Sequence, residues 1–312
     1  GDPTHAKPSG CASTGWGRRG QARGIAAGAR SVLSHPGMRI LFVTSNRVGD
    51  AVLSTGLLDH LLRTHPAARF TVACGPAAAG LFANMPRLER LIVFEKRRLG
   101  AHWLRLWALA APHVWDLVVD IRASALAWLV PTRARAIMRK RNGHKTAQLA
   151  AVLGLSLPPL PVVWIAAHDR ARARTLLPPG AAALLVLGPT ANWHGKVWPA
   201  ERFIALTEAL LAGPLAGARV AVLAAPPSAE RAMAAPVLAA LPGAADLAGG
   251  LSLTEAAACL EQAALFVGND SGLMHLAAAA GAPTLGLFGP TSAGEYAPDG
   301  RRLASWGRPG TG

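Results

Sequence analysis

The densest run of chemistry-bearing residues is 265–291, where Asn269, Asp270, Ser271 and His275 cluster between two apolar stretches. Residues 265–267 have the make-up of a short buried strand, and Asn269-Asp270 that of a polar turn supplying a helix cap. Leu273, Leu276, Ala277 and Ala280 then recur at i, i+3, i+4 and i+7, which predicts a helix with an apolar stripe facing a core. Ser271 and His275, four apart, share another face near the helix start. Backbone N–H groups there lack intrahelical partners and the dipole end is positive, so the unit has the chemistry of a phosphate site. Gly272 is expected to let such a ligand approach. The competing account is an ordinary capped helix with a half-exposed histidine.

A second group follows an apolar strand at 184–187, in the loop Gly188-Pro-Thr-Ala-Asn-Trp-His-Gly-Lys-Val-Trp-Pro199. Lys196 is its only full positive charge. An ammonium there could neutralise a diphosphate leaving group, with Thr190, Asn192 and His194 as hydrogen-bonding partners; taken alone, it reads equally as a solvated loop lysine. Glu230, after the next strand, could accept from ribose hydroxyls or simply complement the dipole of a helix's first turn. In the first half, Asn46-Arg-Val-Gly-Asp50 occupies the matching strand-to-helix turn, where Asp50 by itself reads as a helix cap or first-turn acid.

The elements that must position these residues alternate between strand and helix. Strands are predicted at 40–44, 70–73, 91–94 and 117–119, with a helix over 50–63 whose Leu53, Leu57 and Leu61 repeat at i, i+4. Proline-rich stretches at 157–161 and 177–180 bracket an Arg-rich helical connection. The pattern then restarts with strands at 184–187 and 219–223, a helix entered at Pro199, and a capping box, Ser252-Leu-Thr-Glu255, opening the helix before the featured unit. The expected division is 38–165, a linker at 166–183, and 184–312. Two such α/β halves would face each other across a cleft at the carboxyl ends of their strands.

Composition agrees with two cores: 312 residues, 51% hydrophobic and 16% charged. Cys11, Cys74 and Cys259 are widely spaced, which indicates neither a disulfide framework nor a zinc site and fits a reducing cytosol. No apolar run reaches membrane-spanning length, because Arg105, Pro112, Asp116 and Arg122 interrupt 103–130. The formal net charge of +15 points to an anionic partner. Part of it lies in 1–37, expected to be a disordered leader ahead of Met38. The leader's Gly15-Trp-Gly-Arg-Arg-Gly20 matches a dinucleotide fingerprint only by chance, since no strand precedes it, and Arg18-Arg19 lacks the apolar region of a twin-arginine signal. Arg133, Arg135, Arg139, Lys140, Arg141 and Lys145 form a basic run near Trp103, Trp107, Trp115 and Trp128. Without a nucleic-acid motif, an anionic glycolipid or membrane surface is the preferred partner and nucleic acid is not expected; buried tryptophans beside a solvated loop are the alternative.

Together the pieces resemble glycosyltransferase family 9, the lipopolysaccharide heptosyltransferases. The resemblance runs from Met38 to about Gly300 and rests on Val48-Gly-Asp-Ala-Val-Leu-Ser-Thr-Gly56, the 188–203 loop and helix, Gly268-Asn-Asp-Ser-Gly-Leu-Met-His275 and Gly289-Pro-Thr291. It implies a GT-B fold, two facing Rossmann-like domains with an interdomain cleft. It also implies an inverting, metal-independent enzyme moving a sugar, heptose from ADP-heptose, onto a lipopolysaccharide core or related glycolipid. On this resemblance Asp50 matches the family's proposed base and Lys196 its diphosphate-binding lysine, while Asp270, Ser271, Gly272 and His275 match its donor turn. Thr190, Asn192 and Glu230 join the donor side; Arg139, Lys140 and Arg141 form the acceptor or membrane surface. No cofactor or metal is implied beyond the nucleotide-sugar co-substrate, and the absence of a DxD-like motif agrees with a metal-free site. The expected location is cytoplasmic, with peripheral contact at the inner membrane. The chain departs from the family at Ala191-Asn192, where hydroxyl residues are frequent, and at a carboxyl end expected to be truncated. A sugar-nucleotide epimerase of similar fold and a non-catalytic sugar-nucleotide-binding protein remain as alternatives.

Overall fold

The computed structural model describes residues 37–95, 101–226, 228–299 and 303–307. The expectations for the leader, including its glycine-rich match and Arg18-Arg19, lie outside the described residues apart from Gly37, as does Cys11. Among the described residues, eleven strands form two all-parallel sheets. The first has the order β3-β2-β1-β4-β5, built from β1 (Arg39–Val43), β2 (Arg69–Cys74), β3 (Leu88–Val93), β4 (Trp115–Asp120) and β5 (Thr132–Ile137). The second has the order β11-β10-β9-β6-β7-β8, from β6 (Leu184–Gly188), β7 (Arg219–Ala224), β8 (Ala245–Ala248), β9 (Leu265–Asn269), β10 (Thr284–Phe288) and β11 (Leu303–Gly307). Each half thus winds out from its first strand in both directions, and the order reverses between β1 and β4 and between β6 and β9. In such sheets a crevice opens at the reversal, beyond the strands' carboxyl ends. The loops and helix starts after β1, β4, β6 and β9 carry most of the polar residues described below.

Central strands read as apolar runs because helices cover both faces: β4 and β6 are buried throughout. β5 is different. Its Thr-Arg-Ala-Arg-Ala-Ile alternates exposed arginine with more buried alanine, so the start of the predicted basic loop is an edge strand. Arg133 pairs with Asp116 at 2.9 Å, and Arg135 donates to Ala127 O at 2.6 Å while lying over the Trp128 ring. Of the nearby tryptophans, Trp115 is core, its Nε1 donating to Ala110 O, whereas Trp107 and Trp128 are exposed.

The Val48–Thr64 helix is where the halves meet. Its Leu53, Leu57, Leu58 and Leu61 join Leu273, Met274, Leu276 and Ala277 of the Gly272–Ala279 helix in one apolar cluster drawn from both sheets. Gly56 lets the helix lie against the 159–160 strap, where a Cβ would overlap Pro159 O and come within 2.9 Å of Leu160 O. Thr55 Oγ1 accepts from Val162 N at 2.9 Å and fixes the same strap. The Ala167–Leu176 helix, within the span expected as linker, docks on the second half. Buried Asp169 accepts from Asn84 Nδ2 at 2.7 Å and Thr254 Oγ1 at 3.0 Å, and Arg170 donates two parallel hydrogen bonds to the Glu261 carboxylate. The capping box forms as expected, with Ser252 and Glu255 bonding each other's backbone N–H. Pro199, expected as the first helical residue, is the N-cap of Ala200–Ala212.

Candidate active site

On the first half's side, β1 ends at Val43 and the chain turns through Ser45 and Asn46 into the Val48–Thr64 helix. Asp50 is the third residue of that helix and not its cap; Arg47 holds the cap position without a side-chain bond. The Ser45 hydroxyl donates to Asp50 Oδ2 at 3.4 Å and accepts from Arg47 N at 3.1 Å. At the end of β4, buried Asp120 accepts from the N–H groups of Arg122 and Ser124 and from the Ser124 hydroxyl. These bonds fold a turn with Ala123 at φ 53°. Burial pushes the Asp120 carboxyl above its ordinary range, against the pull of those donors. The turn presents Arg122, which donates to Asn46 Oδ1 at 2.7 Å and lies over the rings of Phe94 and Trp103 at 5.2 and 5.1 Å. Burial pulls the Arg122 pKa down from its ordinary value. Ser45, Asp50, Arg122 and Lys145 line a polar hollow of about 200 Å³.

From the second half, the short turn His194–Lys196 aims the Lys196 ammonium at Asp270, Nζ to Oδ2 at 2.7 Å. The same oxygen accepts from Thr291 at 2.6 Å, and Asn269 Oδ1 accepts from Trp198 N at 3.0 Å, so the Lys196 loop is pinned to the ends of β9 and β10. Asp270 therefore orients a cation instead of capping the next helix, as its turn was expected to do. The cap is Ser271, without a side-chain cap bond.

The two helix starts touch. A Cβ on Gly272 would lie 3.0 Å from Val48 Cβ and 3.3 Å from Gly49 N, and one on Gly49 would lie 3.0 Å from His275 Cδ2. Gly272 thus permits close approach of the two halves. The helix is also more buried than an amphipathic reading allows: His275 is 5% exposed, not half-exposed. Burial lowers its pKa to about 4, although Asp270 and Asp50 pull upward. Gly49, the neighbour of Asp50 in the chain, packs against His275, so the start of the Asp50 helix and the second-half cluster share one seam. His144 Nε2 lies 2.9 Å from Ala297 O and closes the seam nearby. Among the described residues Asn269 Nδ2, Ser271 Oγ and His275 Nδ1 are buried without hydrogen-bond partners. Such orphans are uncommon in a folded protein, and three around one helix start are the groups a polar ligand would satisfy.

The remaining residues divide. Thr190 is fully buried and its hydroxyl donates to Glu230 Oε2 at 2.7 Å, so it holds Glu230 in place. Ala225 N adds a 3.3 Å bond to the same oxygen. Asn192 is exposed on the loop; Arg139, Lys140 and Arg141 are exposed beyond β5 and outside the cluster. Arg122, Ser45 and His144 were not singled out from sequence, and Lys145 only within the basic run. Arg122 follows an apolar strand ending in aspartate, the one local signal that could have marked it. Among the described residues no three His, Cys, Asp or Glu side chains group as metal ligands, and no helix is long and apolar enough to cross a membrane.

Known proteins share this fold. Lipopolysaccharide heptosyltransferase 1 of Pseudomonas aeruginosa is 29% identical over 292 residues, covering 82% of this chain and 80% of that protein. The glycosyltransferase family 9 structure from Veillonella parvula superposes with a TM-score of 0.73 at 19% identity, covering 88% of this chain and 87% of that one. The ADP-heptose lipopolysaccharide heptosyltransferase II of E. coli gives 0.71 at 19% identity, covering 88% and 92%. These structures share the GT-B fold of two facing Rossmann-like domains. The family model for glycosyltransferase family 9 (heptosyltransferase) matches residues 108–307, which include the Arg122 turn, the Lys196–Asp270 pair and the His275 helix. With well over half its length so matched, the chain belongs to glycosyltransferase family 9.

Proposed function

We propose that the protein transfers heptose from ADP-heptose to an anionic glycolipid of the lipopolysaccharide core, inverting the anomeric centre without a metal. The observation that carries this reading is the contact of the helix start that bears Asp50, in the first half, with the helix start that bears His275, in the second, beside the Lys196–Asp270 pair. Asp50 takes the acceptor hydroxyl's proton as that oxygen attacks the anomeric carbon, and the bond from that carbon to the diphosphate breaks on the opposite side. Lys196, oriented by Asp270 and Thr291, and the N–H groups at the Gly272 helix start stabilise the departing ADP. Ser271 and His275 supply the donor's further polar contacts. Glu230, held by Thr190 and Ala225 N, accepts from ribose hydroxyls, with Asn192 at the rim. The names of the P. aeruginosa and E. coli relatives support the sugar and nucleotide.

On the acceptor side, Arg139, Lys140 and Arg141 attract the glycolipid's anionic groups. The reading puts the protein in the cytoplasm, peripheral to the inner membrane. It assigns acceptor binding to 38–165 and donor binding to 184–312, joined through 166–183. The test is incubation with a panel of nucleotide sugars and core glycolipid lacking heptose, followed by mass spectrometry. A heptose mass gain with ADP release supports the reading. Nucleotide binding without transfer, or an isomerised sugar formed without acceptor, overturns it. Asp50→Asn should lower turnover by about a hundredfold or more with donor affinity nearly unchanged; a near-native rate would remove Asp50 as base.

A further inference from the structure

Two elements of the first half turn large apolar side chains outward. On the Ala101–Ala110 helix, Leu104 is 71% exposed and Trp107 44%; on the Leu126–Leu129 helix, Trp128 is 68% exposed and Leu129 61%. Trp107 Nε1 donates to Leu129 O at 3.0 Å, which joins the two elements into one face. Between them opens a hollow of about 350 Å³, walled by Trp103, Trp107, Leu126 and Leu129. Scattered exposed leucines are ordinary, whereas a contiguous set with two tryptophans marks an interaction surface.

Charge identifies the occupant. Residues 121–168 contain seven Arg and Lys and no Asp or Glu. Arg135 lies over Trp128 with its guanidinium 5.7 Å from the ring centre, Arg105 is exposed beside Leu104, and exposed Arg139, Lys140 and Arg141 continue from the same edge strand. A second copy of the chain would set this cationic rim against its like. Bilayer interfaces instead seat tryptophan and leucine at the depth where lipid phosphates pair with Arg and Lys. We propose that this face docks on an anionic lipid bilayer, with Leu104, Trp107, Trp128 and Leu129 entering the interface while Arg105, Arg135 and residues 139–141 meet the phosphates. This rests on the lipid acceptor proposed above and gives it a geometry. Arg122 lines both the apolar hollow and the polar hollow that holds Asp50, so a glycolipid still in the bilayer has a short path to the base.

The test is co-sedimentation of the full chain with vesicles of phosphatidylcholine, with or without phosphatidylglycerol, at low and high salt. The wild type should bind the anionic vesicles and release with salt. The variant Leu104→Ser/Trp128→Ser/Leu129→Ser should lose at least about tenfold in partitioning, what withdrawing one well-buried apolar side chain is worth. Its melting temperature and ADP affinity should match the wild type. Absence of vesicle binding by the wild type, or equal binding by the variant, overturns the proposal. So does a dimer in sedimentation that the variant converts to monomer, because the face would then belong to a second copy. Transfer assays separate this from the functional reading. The variant should transfer sugar normally to detergent-dispersed glycolipid and poorly to vesicle-embedded glycolipid, whereas a wild type inactive on both would sink the functional reading alone.

Discussion

At 2.7 Å from Asp270 Oδ2, the Lys196 ammonium meets a carboxylate whose side chain is only 6% exposed and which also takes the Thr291 hydroxyl. Removing the lysine leaves that carboxylate short of a charged donor. Lys196→Ala should therefore cost about 1.5 to 3 kcal/mol of stability as well as donor affinity. Lys196→Ala/Asp270→Ala should recover much of the stability and none of the affinity, as thermal melts and ADP calorimetry would report. If both variants melt alike, the pair is not what holds the loop. His275 gives a pH signature. Its folded pKa, about 4, lies below the 6.5 of an unperturbed histidine. Between those values the unfolded chain binds a proton the folded chain refuses, so stability falls as pH drops through that window and is insensitive to His275 above it. The stability difference between wild type and His275→Gln, from urea unfolding, should be constant above pH 6.5 and shrink toward pH 4. A difference independent of pH would mean that the imidazole is not held neutral. Sequence had picked out Lys196, Asp270 and His275, but a pairing across 74 residues leaves no trace in local spacing.

The Val48–Thr64 helix shows what a pattern can and cannot reveal. Its leucine repeat predicted a helix from residue 50, but the start is two residues earlier, because Val48 and Gly49 abut the other half and offer no local cap signal. β5 escaped for a different reason. Alanines facing inward are too small to register as an apolar alternation, while the arginines between them read as a solvated run. Gly56 was visible as a motif residue without a physical role, which only the neighbouring strap supplies. In an isolated helix Gly→Ala gains about 1 kcal/mol. Here the added Cβ would overlap Pro159 O, a backbone atom that cannot rotate away. Gly56→Ala should thus destabilise by about 1 to 3 kcal/mol, the usual cost of overpacking. A raised melting temperature would show that the strap yields.

At the scale of the whole molecule, alternating strands and helices sufficed to predict two Rossmann-like halves with ligands between them, since strand order and handedness leave few alternatives. What joins the halves could not be read, because it depends on contacts between distant segments. Two ties of different kinds lie side by side on the Ala167–Leu176 helix. Asp169, 2% exposed, binds Asn84 of the first half and Thr254 of the second, whereas Arg170 and Glu261 form a well-aligned pair in solvent, with side chains 43% and 36% exposed. Solvent screening and side-chain entropy leave an exposed pair worth about 0 to 1 kcal/mol. Buried donors stripped of their acceptor cost about 1 to 3 kcal/mol each. Asp169→Ala should accordingly destabilise far more than Arg170→Ala. Because the apolar cluster beneath spans both sheets, the wild type should unfold in one transition that Asp169→Ala broadens or splits. Calorimetric melts of the two variants decide the matter. If Arg170→Ala proves the more damaging, the connecting helix is held to the second half by the surface pair, and the buried aspartate is only the turn former of its own helix.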